Sequence, residues 1–443
     1  MQERIITLAT PVFFALIALE LAWGLLRGRN TYRLDDAINS IGLGVLSQVS
    51  GVFTRLLRIG LYAWAFDAVA LLRLPVDSAW TWLFALLFYD LCDYWHHRLG
   101  HERTILWAAH VVHHQSEDYN LSTALRQTSS GALLGWIFYL PMAVAGIPPE
   151  VFAAVALVDL LYQYWIHTQH VGRLGWFDRV FASPSNHRAH HAVNERYLDR
   201  NYGGILIVWD RLFGTFVEED DADPPVYGTR RPLRSWNPLW ANLEVYAAMA
   251  HDIRHTRRWR DRLRVLVGRT GWRPADLRAD SPGLPFVPDR SRYQPQASRG
   301  ARAYASVQFA IVLAAAVHFL QVQEYAPMPV LLAYFLWIAI ALTTRGWMLE
   351  GRGIGAWLEA ARCAGTAIAR LAAQAWSGVD AQGPRVVEAL VAGALASAAW
   401  AALVAWHARP ATLAKRSEPD GADFDAAPGL AARATQATTV DRR

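Results

Sequence analysis

Lipid offers the backbone no hydrogen-bond partners, so an apolar run of roughly 17–25 residues has to enter it as a helix. This sequence carries such runs at residues 5–26, 80–95, 131–147, 151–167, 304–322, 328–344 and 386–407. Residues 38–66 are also apolar, but Arg55 and Arg58 interrupt them, which fits one long span or a span followed by an interfacial helix. At 53% hydrophobic residues with 20 tryptophans, the chain is too apolar for a plain soluble enzyme. The expected fold is all-α, a polytopic membrane protein with a cytoplasmic histidine-rich helical cap over the transmembrane bundle. The first run contains Glu20 and no small-x-small pattern before "RGRNTYR", so it reads as an uncleaved span rather than a signal peptide.

Arginines after the first run, Arg27, Arg29 and Arg33, place that end in the cytoplasm. Counting spans from there puts residues 96–130 and 171–303 on the same face. Thirteen Arg against five acidic residues between His251 and Arg302 agree with it. The net charge of +5 is then a topology signal, a basic surface beside anionic headgroups. Nucleic-acid binding is not expected. The only cysteines are Cys92 and Cys363, which excludes a disulfide framework and a cysteine zinc site. Heavy arginine use, with Lys415 the only lysine, points to a GC-rich bacterial genome and an inner membrane. Five segments follow: residues 1–34, an N-terminal helix and basic loop; 35–230, the histidine-bearing domain; 231–302, a basic cytoplasmic segment; 303–409, the C-terminal helices; and 410–443, a tail expected to be disordered.

Eleven of the fifteen histidines lie between His96 and His191. His97 and His101 are four apart on the cytoplasmic extension of the 80–95 helix, hence on one face. His110, His113 and His114 follow the spacing i, i+3, i+4, and His187, His190 and His191 repeat it. His167 stands alone at the end of another span. Nine histidines converging on one membrane side imply metal. They are too many for one ion and reasonable for two, and imidazole suits Zn, Cu, Fe and Ni. A neutral, histidine-only pair keeps a high positive charge, which suits a dinuclear iron site that reduces dioxygen with electrons from outside.

The stretches "DLCDYWHHRLGHERTILWAAHVVHHQSEDYNLSTALRQ" and "SPSNHRAHHAVNERYLDRNYGGILIVWDRLFGTF" resemble the membrane-bound fatty acid hydroxylase / sterol desaturase superfamily, and within it most resemble the alkylglycerol monooxygenase branch. The resemblance covers roughly residues 35–220. It implies that His97, His101, His110, His113, His114, His167, His187, His190 and His191 are iron ligands, with His96 and His170 as non-ligand neighbours. It further implies two Fe ions, a lipid substrate drawn from the bilayer, O2, and hydroxylation or desaturation of a C–H bond. The ether-lipid branch attacks the carbon beside an ether oxygen and consumes reduced tetrahydrobiopterin. No dinucleotide-binding glycine motif, ferredoxin cysteine set or haem domain is present, so a separate electron donor or another external reductant is expected.

Around the ligands, Asp90 and Asp93 lie seven and four residues before His97, placed to take an outer ring N–H; a solvated helix-end carboxylate is the other reading. Glu102 matches a glutamate of the ether-lipid branch. Asp118, Asn120 and Asn201 are further candidates, the asparagines either orienting water or forming turns. Arg126 and Gln127 close the matching phrase and are expected to salt-bridge inside the cytoplasmic cap. Tyr94, Trp95, Trp107, Tyr162, Tyr164 and Trp165 fit an interfacial aromatic belt or a substrate tunnel. In the C-terminal third, Arg362 and Arg370 suggest an interfacial helix, and His318 and His407 are isolated. Fatty acids, sterol-like rings and carotenoids are alternative substrates. A metal or proton transporter, with its ionisable groups at the membrane midplane, and a non-catalytic relative holding zinc as a brace are the competing classes.

Overall fold

A computed structural model describes residues 2–277, 291–373 and 384–407. Its long helices are α1 (Gln2–Leu26), α2 (Leu34–Arg55), α3 (Leu61–Val69), α4 (Ala79–Glu102), α5 (Pro149–Trp165), α6 (Pro184–His190), α7 (Pro238–His255), α8 (Arg299–Val322), α9 (Met328–Leu349), α10 (Gly353–Ala373) and α11 (Pro384–His407). No strand forms among the described residues, only isolated bridges. Among the described residues, four helices are long and apolar enough to cross a membrane: Leu34–Thr54, Arg299–Val322, Met328–Leu349 and Val387–His407. Thr10–Leu26 and Ala132–Val144 are shorter apolar helices. The tail, residues 410–443, lies outside the described residues.

Of three apolar runs, the first takes one of its two expected forms, a span followed by a shorter helix, and the other two depart from expectation. Residues 38–66 divide at a π-helical turn, Leu56–Gly60, between α2 and α3. Residues 131–147 break into Ala132–Gly135, a 3-10 turn Trp136–Tyr139, and Leu140–Val144. Pro141 supplies the reason: it has no N–H for the preceding turn, so the helix restarts around it. The run expected to lie at the interface, α10, instead packs between α9 and α11. Its Arg362 turns inward, forming hydrogen bonds of 2.9 and 2.5 Å to Glu359, whose carboxylate also accepts from Thr344 at 2.6 Å.

Two apolar cores are the largest among the described residues. Leu46 and Val49 of α2, Val312 and Phe319 of α8, and Ile338 of α9 form one. Tyr62 of α3, Ala85 of α4, Met142, and Val151 and Phe152 of α5 form the other, with the Tyr62 and Phe152 rings stacked at 3.9 Å. The segment around α7 folds back on the end of α4, where Thr270 N–H donates to the Glu102 carbonyl at 3.1 Å and Thr104 N–H to that of Gly268 at 3.1 Å. The histidines are held in the space between these cores and this cap.

Candidate metal centre

α4 runs unbroken to Glu102, so His97 and His101 emerge one turn apart at its end. The second set is not on a long helix. His110 precedes a single turn, Val111–His114. The third set rides on α6, which starts cleanly because Ser183 Oγ caps the Asn186 N–H at 3.4 Å and Pro184 occupies the first turn. His167 lies just beyond α5, its ring fixed by donation to the Gln163 carbonyl at 2.8 Å.

All nine histidines meet, but in two groups rather than one converging face. His97, His101, His110, His114 and His190 form the first; His113, His167, His187 and His191 form the second. Within each group the candidate ligand atoms lie within 4.8 Å of one another. The adjacent pairs explain the division. Neighbouring residues on a helix point about 100° apart. His113 and His114 therefore serve different groups, and so do His190 and His191. The His114 and His191 rings stack at 4.3 Å where the groups touch.

The tautomers identify what the groups can hold. A carbonyl can only accept, so Nδ1 carries the proton in His97, bonded to Tyr202 O at 2.8 Å, and in His190, bonded to Arg200 O at 2.8 Å. The same holds for His113, bonded to Arg126 O at 3.0 Å, and for His167. Their Nε2 atoms are then bare lone pairs. Yet His113 Nε2 and His167 Nε2 face each other at 3.1 Å, with no proton left to share. Nε2 of His97 and of His190 is buried with no partner. Two nitrogens about 2.1 Å from one metal ion and at right angles to each other are about 3.0 Å apart. His187 Nε2 lies 3.0 Å from His167 Nε2 and 3.1 Å from His191 Nε2, as such an arrangement requires. The donor set therefore fits a cation in each group. Burial also keeps these rings neutral: it pushes His113 down to about 4, and His110, His114, His187, His190 and His191 well below the ordinary histidine range.

Neither carboxylate expected to brace a ligand does so. Asp90 accepts from the Ile205 and Leu206 backbone N–H groups at 2.8 and 3.0 Å and from Trp209 Nε1 at 2.8 Å. Asp93 accepts from Tyr139 Oη at 2.8 Å and Gln163 Nε2 at 3.3 Å. Backbone carbonyls have taken the bracing role instead. Glu102 pairs with Arg98 at 2.9 Å. Asn120 caps a turn by accepting from Ser122 N–H at 3.0 Å, and Asn201, at φ 58°, bonds the Asn186 and Val217 carbonyls. Asp118 pairs with Arg33 and Arg292. Arg126 is buried on neutral acceptors, among them Val112 O at 2.7 Å and Asn39 Oδ1 at 2.7 Å, rather than on an acid. Gln127 donates to Ala124 O. His96 sits against Phe138 and Tyr139, outside both groups. His170 is likewise in neither group.

Sequence reasoning passed over Tyr202 and Tyr119. Tyr202 is fully buried, its ring 5.3 Å from His101 and 5.7 Å from His97. Tyr119 stacks on His167 at 5.6 Å while donating to the Ile166 carbonyl at 2.9 Å. Both lie inside phrases flanking the histidine boxes, which was the available signal. Trp107 covers His101 at 5.1 Å. His97 and His110 of the first group are only partly buried, whereas the second group is buried throughout. The first group is thus the one nearer an approach from outside.

These features define a membrane protein with two adjoining histidine groups, each of which could hold a metal ion. The family profile described as Fatty acid hydroxylase matches residues 82–215. Alkylglycerol monooxygenase of Homo sapiens is 38% identical over 359 residues, covering 80% of each chain. The Danio rerio protein of that name is 37% identical over 358 residues, again 80% of each. Ornithine lipid hydroxylase OlsE of Rhizobium tropici is 31% identical over 124 residues, 28% of this chain and 38% of its own. No solved structure matches the chain. The chain belongs to the fatty acid hydroxylase family, in the group formed by the alkylglycerol monooxygenases. It is an oxygen-dependent lipid monooxygenase, an oxidoreductase of multi-pass membrane architecture. An alignment of 359 residues extends well beyond residues 35–220, so the likeness is not confined to the histidine boxes. Homo sapiens and Danio rerio lend no support to a bacterial inner membrane.

Proposed function

We propose that this protein is a dinuclear non-haem iron monooxygenase that hydroxylates the carbon beside the ether oxygen of an alkylglycerol. His97, His101, His110, His114 and His190 would hold one iron, and His113, His167, His187 and His191 the other. The observation that carries the reading is the lone-pair opposition of His113 and His167 at 3.1 Å, which a bound metal cation would relieve. A bound iron pair supplies the binding and reduction of O2 and the attack on an unactivated C–H bond, for which side chains have no equivalent.

The protein's own residues do the rest. Carbonyls of Tyr202, Arg200, Arg126 and Gln163 hold four rings in the tautomer that presents Nε2. Burial keeps the ligands neutral and water away from the second group. The half-open first group receives the lipid's polar end, while its tail stays among the helices. Electrons come from reduced tetrahydrobiopterin or from a separate donor. The arginine distribution supports placing the centre on the cytoplasmic face. Asp90, Asp93, Glu102 and Asn120 act as framework rather than as reacting groups.

The test is oxygen uptake by protein in lipid nanodiscs, offered an alkylglycerol with and without reduced tetrahydrobiopterin. The expected result is uptake that needs both and releases a fatty aldehyde as the hydroxylated ether collapses. Uptake with a sterol or a free fatty acid but not with the ether would overturn the substrate assignment.

A further inference from the structure

The short helix Trp259–Val267 lies in the basic segment and takes no part in the metal centre. Val265 points into the cap, packed with Ala108 and Met249. On the opposite side Trp259, Leu263 and Val267, four residues apart, are 65%, 56% and 62% exposed. At 100° per residue these three form one stripe, with Arg260 and Arg264 along one edge and Arg262 along the other. All three arginines are exposed. Arg257, Arg258 and Arg269 extend the charge at both ends, and Asp261 is the only acid within the helix.

An exposed apolar stripe edged on both sides by arginine is suited to one kind of surface. A protein partner offers an apolar groove with acids at fixed points. A bilayer with anionic headgroups offers apolar depth and diffuse negative charge along a whole helix. A multi-pass protein always has such a surface within reach. We propose that Trp259–Val267 docks on anionic lipid, with Trp259, Leu263 and Val267 in the acyl boundary and the flanking arginines on headgroup phosphates.

The position gives this contact a consequence for the centre. The turn after the helix is bonded directly to the end of α4: Thr270 N–H donates to the Glu102 carbonyl at 3.1 Å and Thr270 Oγ1 to that of His101. Gly268 O accepts from Thr104 N–H at 3.1 Å. Docking therefore immobilises the chain on either side of His101, on the half-open first group. The proposal does not rest on the identity of the metal or of the lipid oxidised.

Both native cysteines are buried, so L263C gives a single accessible labelling site. The labelled full-length protein is placed in nanodiscs of phosphatidylcholine with or without phosphatidylglycerol, and an environment-sensitive dye is read with and without bromine-labelled acyl chains. The expected result is blue-shifted, bromine-quenched emission that strengthens with phosphatidylglycerol and weakens at high salt. R260Q and R264Q together should weaken the headgroup contact by about fivefold per arginine removed. Water-like, unquenched emission in both bilayers would overturn the proposal. Blue-shifted emission that bromine does not quench would also overturn it, because protein would then cover the stripe. Quenching indifferent to phosphatidylglycerol, salt and the arginine changes would overturn the headgroup assignment.

Discussion

Asp90 is buried in α4 and accepts three hydrogen bonds from the segment that follows the third histidine box. That segment also carries Tyr202, whose carbonyl fixes His97. An asparagine there keeps one accepting oxygen and turns an amide donor toward backbone N–H groups. Asp90→Asn should cost about 1–3 kcal/mol and loosen the His97 tautomer. Denaturation midpoints and iron retention against a chelator should both fall; unchanged values would show that the loop holds itself. Gly204 sits at the same crossing. A Cβ there would lie 2.7 Å from Asp159 Oδ1, 2.9 Å from Gln163 Nε2 and 3.0 Å from Asp93 Oδ2. Gly204→Ala should destabilise by about 1–3 kcal/mol, read as a lower melting temperature. At this scale the sequence supplies ligands better than their supports. The histidines announce themselves by spacing, and all nine meet. The outer partners of His97, His113, His167 and His190 are carbonyls, which no residue letter encodes, so helix-face reasoning assigned the role to Asp90 and Asp93.

Among the elements, α1 reaches the loops of the centre through one carboxylate, beside the packing of Phe13 and Ile17 on Leu121 and Tyr164. Glu20, buried in an otherwise apolar helix, accepts from the Leu121 N–H at 2.8 Å, from Thr168 Oγ1 at 2.5 Å and from the Tyr32 hydroxyl. Leu121 follows the second histidine box and Thr168 follows His167, so Glu20→Ala should free both loops around the second group. Hydrogen exchange should rise at residues 119–123 and 166–170, with the C-terminal helices unaffected. In those helices Glu359 is the carboxylate among Arg345 and Arg362, all three buried. Glu359→Ala should cost about 3–5 kcal/mol, seen as thermal instability in detergent. The folded fraction should keep its metal, because this network lies apart from the histidines. Apolar runs located most helices, and Arg55 and Arg58 marked where a π-turn divides one, yet length misled where Pro141 restarts another. Arg362 and Arg370 read as interfacial because they punctuate an apolar run, but Arg362 pairs inward with Glu359, three residues away on the same helix. Such a pair looks like a solvated surface pair until a neighbouring helix covers it.

For the molecule as a whole, the centre joins the end of α4, the turn at residues 110–114, the end of α5, and α6. An ion that binds only the folded form stabilises all four contacts together. Stripping the metal should therefore raise hydrogen exchange across residues 96–114 and 183–206 while α8 to α11 stay protected. A multi-pass membrane protein with histidines clustered for metal was legible in hydropathy and spacing, and the lipid-oxygenase reading came with the family resemblance. The split of the ligands into groups of five and four was not, because it depends on which way adjacent rings turn. Elemental analysis of purified protein beside His190→Ala is the most direct measurement of the central claim. About two irons per chain, lowered in the variant, are expected of two imidazole-built sites. Zinc in place of iron, or iron indifferent to His190→Ala, would contradict it.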